Sequence, residues 1–428
     1  MNAFHLLLCT AAISATPLPA QPLTAAQSDP AKMGWMVGSP PSPDKQIRAG
    51  NHLDFPRTRW SFSNWRRLFP TAPLFATAPR ALPEARQLSA LDDVRFTPLG
   101  ASTPMRWRDS LDANYTDAIV ILHRGRPVYQ WQSGVTTLHT QHILWSVSKS
   151  FTGLLAEALI AEKRLNPEAR VDSIVPELAA SGFGNATVRQ VMDMTTALDF
   201  SEDYTDASSG IGAFSLALGL TPRPAGYTGP TDVYAFLPTI AKAGEHGERF
   251  TYRTCNTEVL GWIVARTEGK RLDKVLSDRI WQPLGMEQDA DFLIDSTGMP
   301  FAGGGLNPVL RDLARFGEAM RCDGVGHGGG VIPLAAVESI RGGANRTAFA
   351  KAGYGYLPDC SYRSQWWTMP GNHGAYAARG IHGQGIYVDP AAEMVIARFG
   401  SHPIAASSGN DPVSLPAYRA VAERLMQG

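Results

Sequence analysis

The chain is short of the features that announce most functional classes. Its 428 residues hold only four cysteines, Cys9, Cys255, Cys322 and Cys360, scattered without a pattern. That scatter argues against a disulfide framework and against a cysteine-rich zinc site. Neither sign of charge is in excess, since 39 basic side chains balance 39 acidic ones. No basic stripe and no phosphate-cradling glycine loop is present, so nucleic acid is not an expected partner. No apolar run approaches the ~18 residues that a membrane span needs. His139-x-x-His142 is metal-like in spacing. It lacks a carboxylate companion, and such isolated pairs are usually coincidence, so neither metal nor cofactor is expected. Arg66-Arg67 and Arg363 are isolated positives beside aromatics rather than a binding patch. The G-x-S-x-G elbow of the α/β-hydrolases is missing too, and with it the demand for a histidine base.

What is present divides the chain unevenly. Residues 1–30 read as a leader, with Leu6–Ile13 as a short apolar core and Thr24-Ala25-Ala26 suited to cleavage before Gln27. Export to the periplasm or beyond is the expectation, with a cytoplasmic leader as the alternative. Residues 31–95 are proline-rich and carry Trp60, Phe62, Trp65 and Phe69, which marks an irregular arm held to the rest by aromatics. From 96 to 428 the pattern is that of one catalytic domain. Ala118–Leu122 reads as a buried strand, His123–Pro127 as a turn, and Val128–Trp131 as the returning strand. A mainly helical, loop-rich region follows over about 166–300, with helices by period at Val188–Met194 and Asn256–Glu268. Leu310–Arg321 is an amphipathic helix, and Gly383–Phe399 alternates as two strands about a turn at Asp389-Pro390. Strands at both ends with helices between them predict an α/β (α+β) fold with an inserted helical region.

The chemistry-bearing segment is Ser146-Val147-Ser148-Lys149, which opens the helical run Ser150–Lys163. Residues three apart on a helix share a face, so the Lys149 amine can lie beside the Ser146 hydroxyl. A serine hydroxyl attacks a carbonyl only when a base takes its proton, and a lysine serves as that base when burial lowers its pKa. About one or two S-x-x-K matches are expected by chance in a chain of this length. The second one here, Ser42-Pro43-Asp44-Lys45, has no helix behind it and is set aside. Around Ser146 two readings stay open: nucleophile and base, or a serine helix cap with a solvated lysine. Further on, Tyr252 stands just before a helix, either with its phenol in a cleft or as an ordinary half-buried tyrosine. His382 either borders the same cleft or is a satisfied histidine of the sheet.

Taken together, Ser146-Val-Ser-Lys149-Ser-Phe-Thr-Gly153, Tyr252-x-Thr254-x-Asn256 before Leu260-Gly261, and Asp312-Leu-Ala-Arg-Phe-Gly317 resemble the serine β-lactamase-like superfamily. That group holds class C β-lactamases, D-alanyl-D-alanine peptidases and related esterases. Asp199–Tyr204, Phe301–Gly305, Gln365-Trp366-Trp367 and Gly380–Gln384 bring the likeness nearest to its nylon-oligomer amidases, the 6-aminohexanoate-dimer hydrolases, over roughly 36–428. The resemblance implies a β-lactamase-like fold, an antiparallel sheet flanked by helices, and hydrolysis of linear amides or esters through an acyl-enzyme. It implies Ser146 as nucleophile, Lys149 as base, Tyr252 as proton relay, and the Ser146 and Ile381 N–H groups as the oxyanion hole. Tyr204, Thr254, Asn256, Trp367, Gly303 and His382 fall at or beside its substrate positions. A small-molecule amide or ester would be the partner, and a homodimer is compatible with it.

Three departures bear on substrate. Thr254 stands where β-lactamases prefer asparagine, and Gly303 where the amidase has a polar side chain. The K-T-G position of the third motif reads Ala378-Arg379-Gly380, without the lysine that holds a substrate carboxylate. The expected activity therefore moves from β-lactams toward linear amides and esters. Short-chain esterase, weak β-lactamase or peptidase activity, and a non-turnover penicillin sensor are the alternatives.

Overall fold

A computed structural model describes residues 22–326 and 329–428. The apolar stretch Leu6–Ile13 and Cys9 lie outside the described residues. The central sheet has seven antiparallel strands. In chain order they are β1 (Thr116–His123), β2 (Arg126–Gln132), β3 (Ser361–Arg363), β4 (Trp366–Thr368), β5 (Tyr376–Gly380), β6 (Gln384–Asp389) and β7 (Met394–Gly400). Across the sheet they run β3-β4-β5-β6-β7-β1-β2, so the two ends of the catalytic region meet where β7 pairs with β1.

The alternation along β1 sorts its side chains between two cores, as a period-two strand must. Ala118, Val120 and Leu122 face the larger core with α1 (Val147–Ala161), α2 (Thr254–Glu268) and α3 (Leu310–Arg321). Ile119 and Ile121 face the smaller one, under Trp107–Ala113 and α4 (Asp411–Met426). Helices thus cover both faces of the sheet. Phe151 of α1 stacks on Phe316 of α3 at 3.8 Å between ring centroids, which joins the helix behind the candidate site to the layer over the sheet.

The 31–95 segment is built into this body. Phe62, Trp65 and Phe69 enter the larger core. Thr71–Leu74 pairs with Ala290–Leu293, which pairs in turn with Leu306–Asn307 in a second, three-stranded sheet. Arg59 lies buried against Asp117 of β1 at 3.0 Å.

The apolar stripe of the Ser150–Lys163 segment predicts an outer polar face at Glu157, but α1 is buried on nearly every side. Glu157 is 2 % exposed and pairs with Arg189 at 2.6 Å. The chain hides this acid by bringing Arg189, Ser339 and Ser364 to it.

Candidate active site

Ser146 is the residue before the first turn of α1, and its side chain makes no capping bond to that helix. Its hydroxyl is therefore left for another partner, which removes the plain-cap reading. Trp145 ahead of it has φ +47°, a left-handed conformation rare for a bulky residue and costly by about 1–3 kcal/mol. Packing holds the bend: Trp145 meets Phe62 and Trp65 at 5.6 and 5.4 Å between centroids. Two backbone bonds pin the approach, from Ile143 to the Phe62 carbonyl and from Leu144 to the Leu306 carbonyl.

Lys149 is 1 % exposed, and its Nζ lies 3.0 Å from Ser146 Oγ and 2.7 Å from the Gly303 carbonyl. Burial pushes its pKa down from the ordinary 10.5, while the Glu202 and Glu258 carboxylates partly restore it. The amine is thus drawn toward the neutral form that can accept a proton. Tyr252 completes the group. Its phenol faces the Ser146 side chain, which acts to lower the phenol's pKa, and its ring lies 5.2 Å from Lys149 Nζ. Burial raises the phenol well above its usual value, so Tyr252 stays protonated near neutrality and suits a donor better than a base. Trp367 stacks on the Tyr252 ring at 5.9 Å and 26°.

Glu258 and Glu202 carry functions that the sequence did not single out. Glu258 is fully buried on α2, one turn beyond Thr254. It accepts the Gly303 N–H at 2.7 Å and the Ala302 N–H at 3.1 Å, which turns the Gly303 carbonyl onto Lys149. Burial raises its pKa. A Cβ on Gly303 would lie 2.7 Å from Glu258 Oε1 and 2.7 Å from Thr254 Cγ2. Glycine is required there because the backbone itself is the contact. Glu202 accepts the Thr254 N–H at 2.8 Å and also the Thr254 hydroxyl. It receives the Tyr204 phenol at 2.7 Å, with Tyr204 itself exposed. In sequence, Glu202 lies within the Asp199–Tyr204 stretch of the resemblance, where only Tyr204 was given a role. The only cue for Glu258 was its place on the apolar run after Asn256.

Ile381 directly follows β5, half-buried. A Cβ on Gly380 would stand 2.7 Å from the Leu144 carbonyl, so only glycine lets this strand end lie against the segment leading to Ser146. That close approach brings Ile381 to the nucleophile's side of the sheet.

Three expected substrate positions are engaged by groups of the protein itself. Asn256 is fully buried and its amide is spent on the Thr196 hydroxyl, at 2.7 Å, and the Arg253 carbonyl. Gly303 meets Lys149 and Glu258, not open space. His382 is 7 % exposed, bonds to the His402 carbonyl at 2.7 Å and packs edge-on to Phe62 at 5.0 Å. Burial lowers its pKa to about 4, so it is a neutral histidine of the sheet edge. Arg379 does not replace the missing lysine, because it pairs with Asp411 and lies over the Trp367 ring. Among the described residues no cluster of metal-binding side chains occurs, and no helix is long and apolar enough to cross a membrane.

A buried lysine on a serine at the head of a helix, with a tyrosine beside the pair, is a constellation for acyl transfer. Comparison with known proteins agrees. The sequence model of the family described as Beta-lactamase matches residues 110–403. The 6-aminohexanoate-dimer hydrolase of Paenarthrobacter ureafaciens is 36 % identical over 349 residues, 81 % of this chain and 86 % of that one. A solved protein of Bacillus anthracis, provisionally named for the same activity, superposes with a TM-score of 0.81 at 29 % identity, over 91 % of this chain and 99 % of its own. EstCE1, a hydrolase with promiscuous acyltransferase activity, shares the fold at a TM-score of 0.57 and 17 % identity, over 74 % of this chain and 96 % of its own. The chain belongs to the β-lactamase family and is a serine hydrolase of the β-lactamase-like fold acting on amide or ester bonds.

Proposed function

We propose that the protein hydrolyses linear amides, with the bond of a 6-aminohexanoate dimer as the type substrate. Ser146 is the nucleophile, Lys149 its base and Tyr252 the donor to the leaving amine. The carrying observation is the 3.0 Å contact between a fully buried Lys149 amine and Ser146 Oγ, with the Tyr252 ring 5.2 Å from that same amine. Lys149 takes the hydroxyl proton as Oγ attacks the carbonyl carbon. The oxyanion rests on the Ser146 and Ile381 N–H groups, each such donor being worth about 3 kcal/mol of barrier. Tyr252 delivers a proton to the leaving nitrogen, the C–N bond breaks, and water hydrolyses the acyl-enzyme by the reverse proton path. No residue frees a cation for a substrate carboxylate at the third motif, since Arg379 is engaged by Asp411. This favours linear amides over β-lactams.

The test is a panel of aminohexanoate dimer, a p-nitrophenyl ester and nitrocefin, assayed on wild type and Tyr252→Phe. Wild type is expected to turn over the dimer and leave nitrocefin nearly untouched. Tyr252→Phe is expected to lose about 10²–10⁴-fold on the amide and much less on the activated ester, whose leaving group needs no proton. Preference for nitrocefin, or equal loss on amide and ester, contradicts the reading.

A further inference from the structure

Behind the strand that carries Ile381 lies a second polar site, unconnected with the catalytic reading. Arg398 of β7 is 2 % exposed, and no carboxylate among the described residues pairs with it. Its guanidinium donates only to neutral groups, the Ser414 hydroxyl at 2.8 Å and the Asn114 carbonyl at 2.7 Å. A buried charge is ordinarily paired, because desolvation costs several kcal/mol per ion. The acid on hand, Asp411, is committed to Arg379.

These groups line a cavity between β5, β6 and the start of α4, with Arg379, Arg398, Asn410, Asp411 and Ser414 on its walls. It leaves about 20 Å³ for the centre of a water-sized occupant. That is room for at least one occupant the size of a water molecule. Four N–H-bearing side-chain nitrogens of the lining residues lack a protein acceptor: Arg379 Nε and Nη1, Arg398 Nε and Asn410 Nδ2. All are donors. Two guanidiniums against one carboxylate leave one net positive charge. The 16-residue helix α4 adds the positive end of its dipole, because Asn410 is its N-cap and Asp411 its first residue.

We propose that this cavity is a binding site for one compact monovalent anion, of the halide class. The occupant accepts from Arg398, Arg379 and Asn410 and neutralises the unpaired guanidinium.

The experiment measures melting temperature of the full chain while chloride replaces gluconate at constant ionic strength, since gluconate is too large to enter. A saturable rise of about 1–3 °C is expected. Crystals soaked in bromide are expected to show an anomalous peak beside Arg398. Arg398→Gln is expected to abolish the rise. Should that variant not fold, Asn410→Leu, which intrudes from the rim, is expected to shift the chloride midpoint upward. Equal melting in chloride and gluconate, a cavity without bromide, or a rise that persists unchanged in the folded variants overturns the proposal.

Discussion

Lys149 works only because of what surrounds it. An exposed lysine near pH 7 is almost wholly protonated and cannot take a proton from serine. Burial inside α1 moves it downward, while Glu258 stays near enough to raise it again and holds the Gly303 carbonyl on its amine. The sign of the pH dependence follows: the base is competent once deprotonated, so kcat/KM rises with pH. The midpoint of that limb is expected well below the ordinary lysine value of 10.5. A profile on an activated ester checks this, and a limb centred near 10 would speak against Lys149 as the base. Spacing made Ser146 and Lys149 a candidate pair, because residues three apart on a helix share a face, and only their combination with the Tyr252 and Gly380–Gln384 segments made the pair legible as catalytic. Glu258 was not, because its hydrogen bonds go to the backbone of Ala302 and Gly303, more than forty residues away.

At the level of elements, α1 is positioned by a close backbone approach rather than by its apolar stripe. A Cβ on Gly153 would lie 2.0 Å from the Ser364 carbonyl and 2.8 Å from Gln365 Cβ. The β3–β4 turn is therefore seated directly on the helix. Ser150 donates to the Gln365 carbonyl at 2.7 Å, and the Gln365 amide ties in Thr257 of α2 and the Met192 carbonyl. Gly153→Ala is expected to cost about 1–3 kcal/mol through overpacking, read from urea denaturation, and to lower activity as the helix shifts from Tyr252. Unchanged stability would show that the turn yields freely. The helix itself and strands β1, β2, β6 and β7 were readable from their apolar runs and the turn residues that bound them. The β3–β4 hairpin was not, because three-residue strands carry too little pattern.

For the whole molecule, the arm before the catalytic region is part of the body. Arg59 reaches Asp117 in the centre of the fold, and Asp117 also lies 3.5 Å from His142, four residues ahead of Ser146. Arg59→Met leaves that carboxylate buried without its cation. Breaking a buried pair on one side costs about 3–5 kcal/mol, and chemical denaturation should show a loss of that size. A loss below about 1 kcal/mol would mean that the arm is dispensable to the fold. The arm's aromatics announced that it packs somewhere. Its pairing partners, on strands far along the chain, are set by the tertiary fold and leave no local trace.

The account rests on Ser146 as the nucleophile, and covalent labelling tests that most directly. Wild type treated with a fluorophosphonate, then weighed intact and mapped by peptide, is expected to carry one adduct on Ser146. Ser146→Ala is expected to fold, take no label and lose at least about 10⁴-fold in turnover. An adduct on another residue, or turnover retained in folded Ser146→Ala, would contradict it.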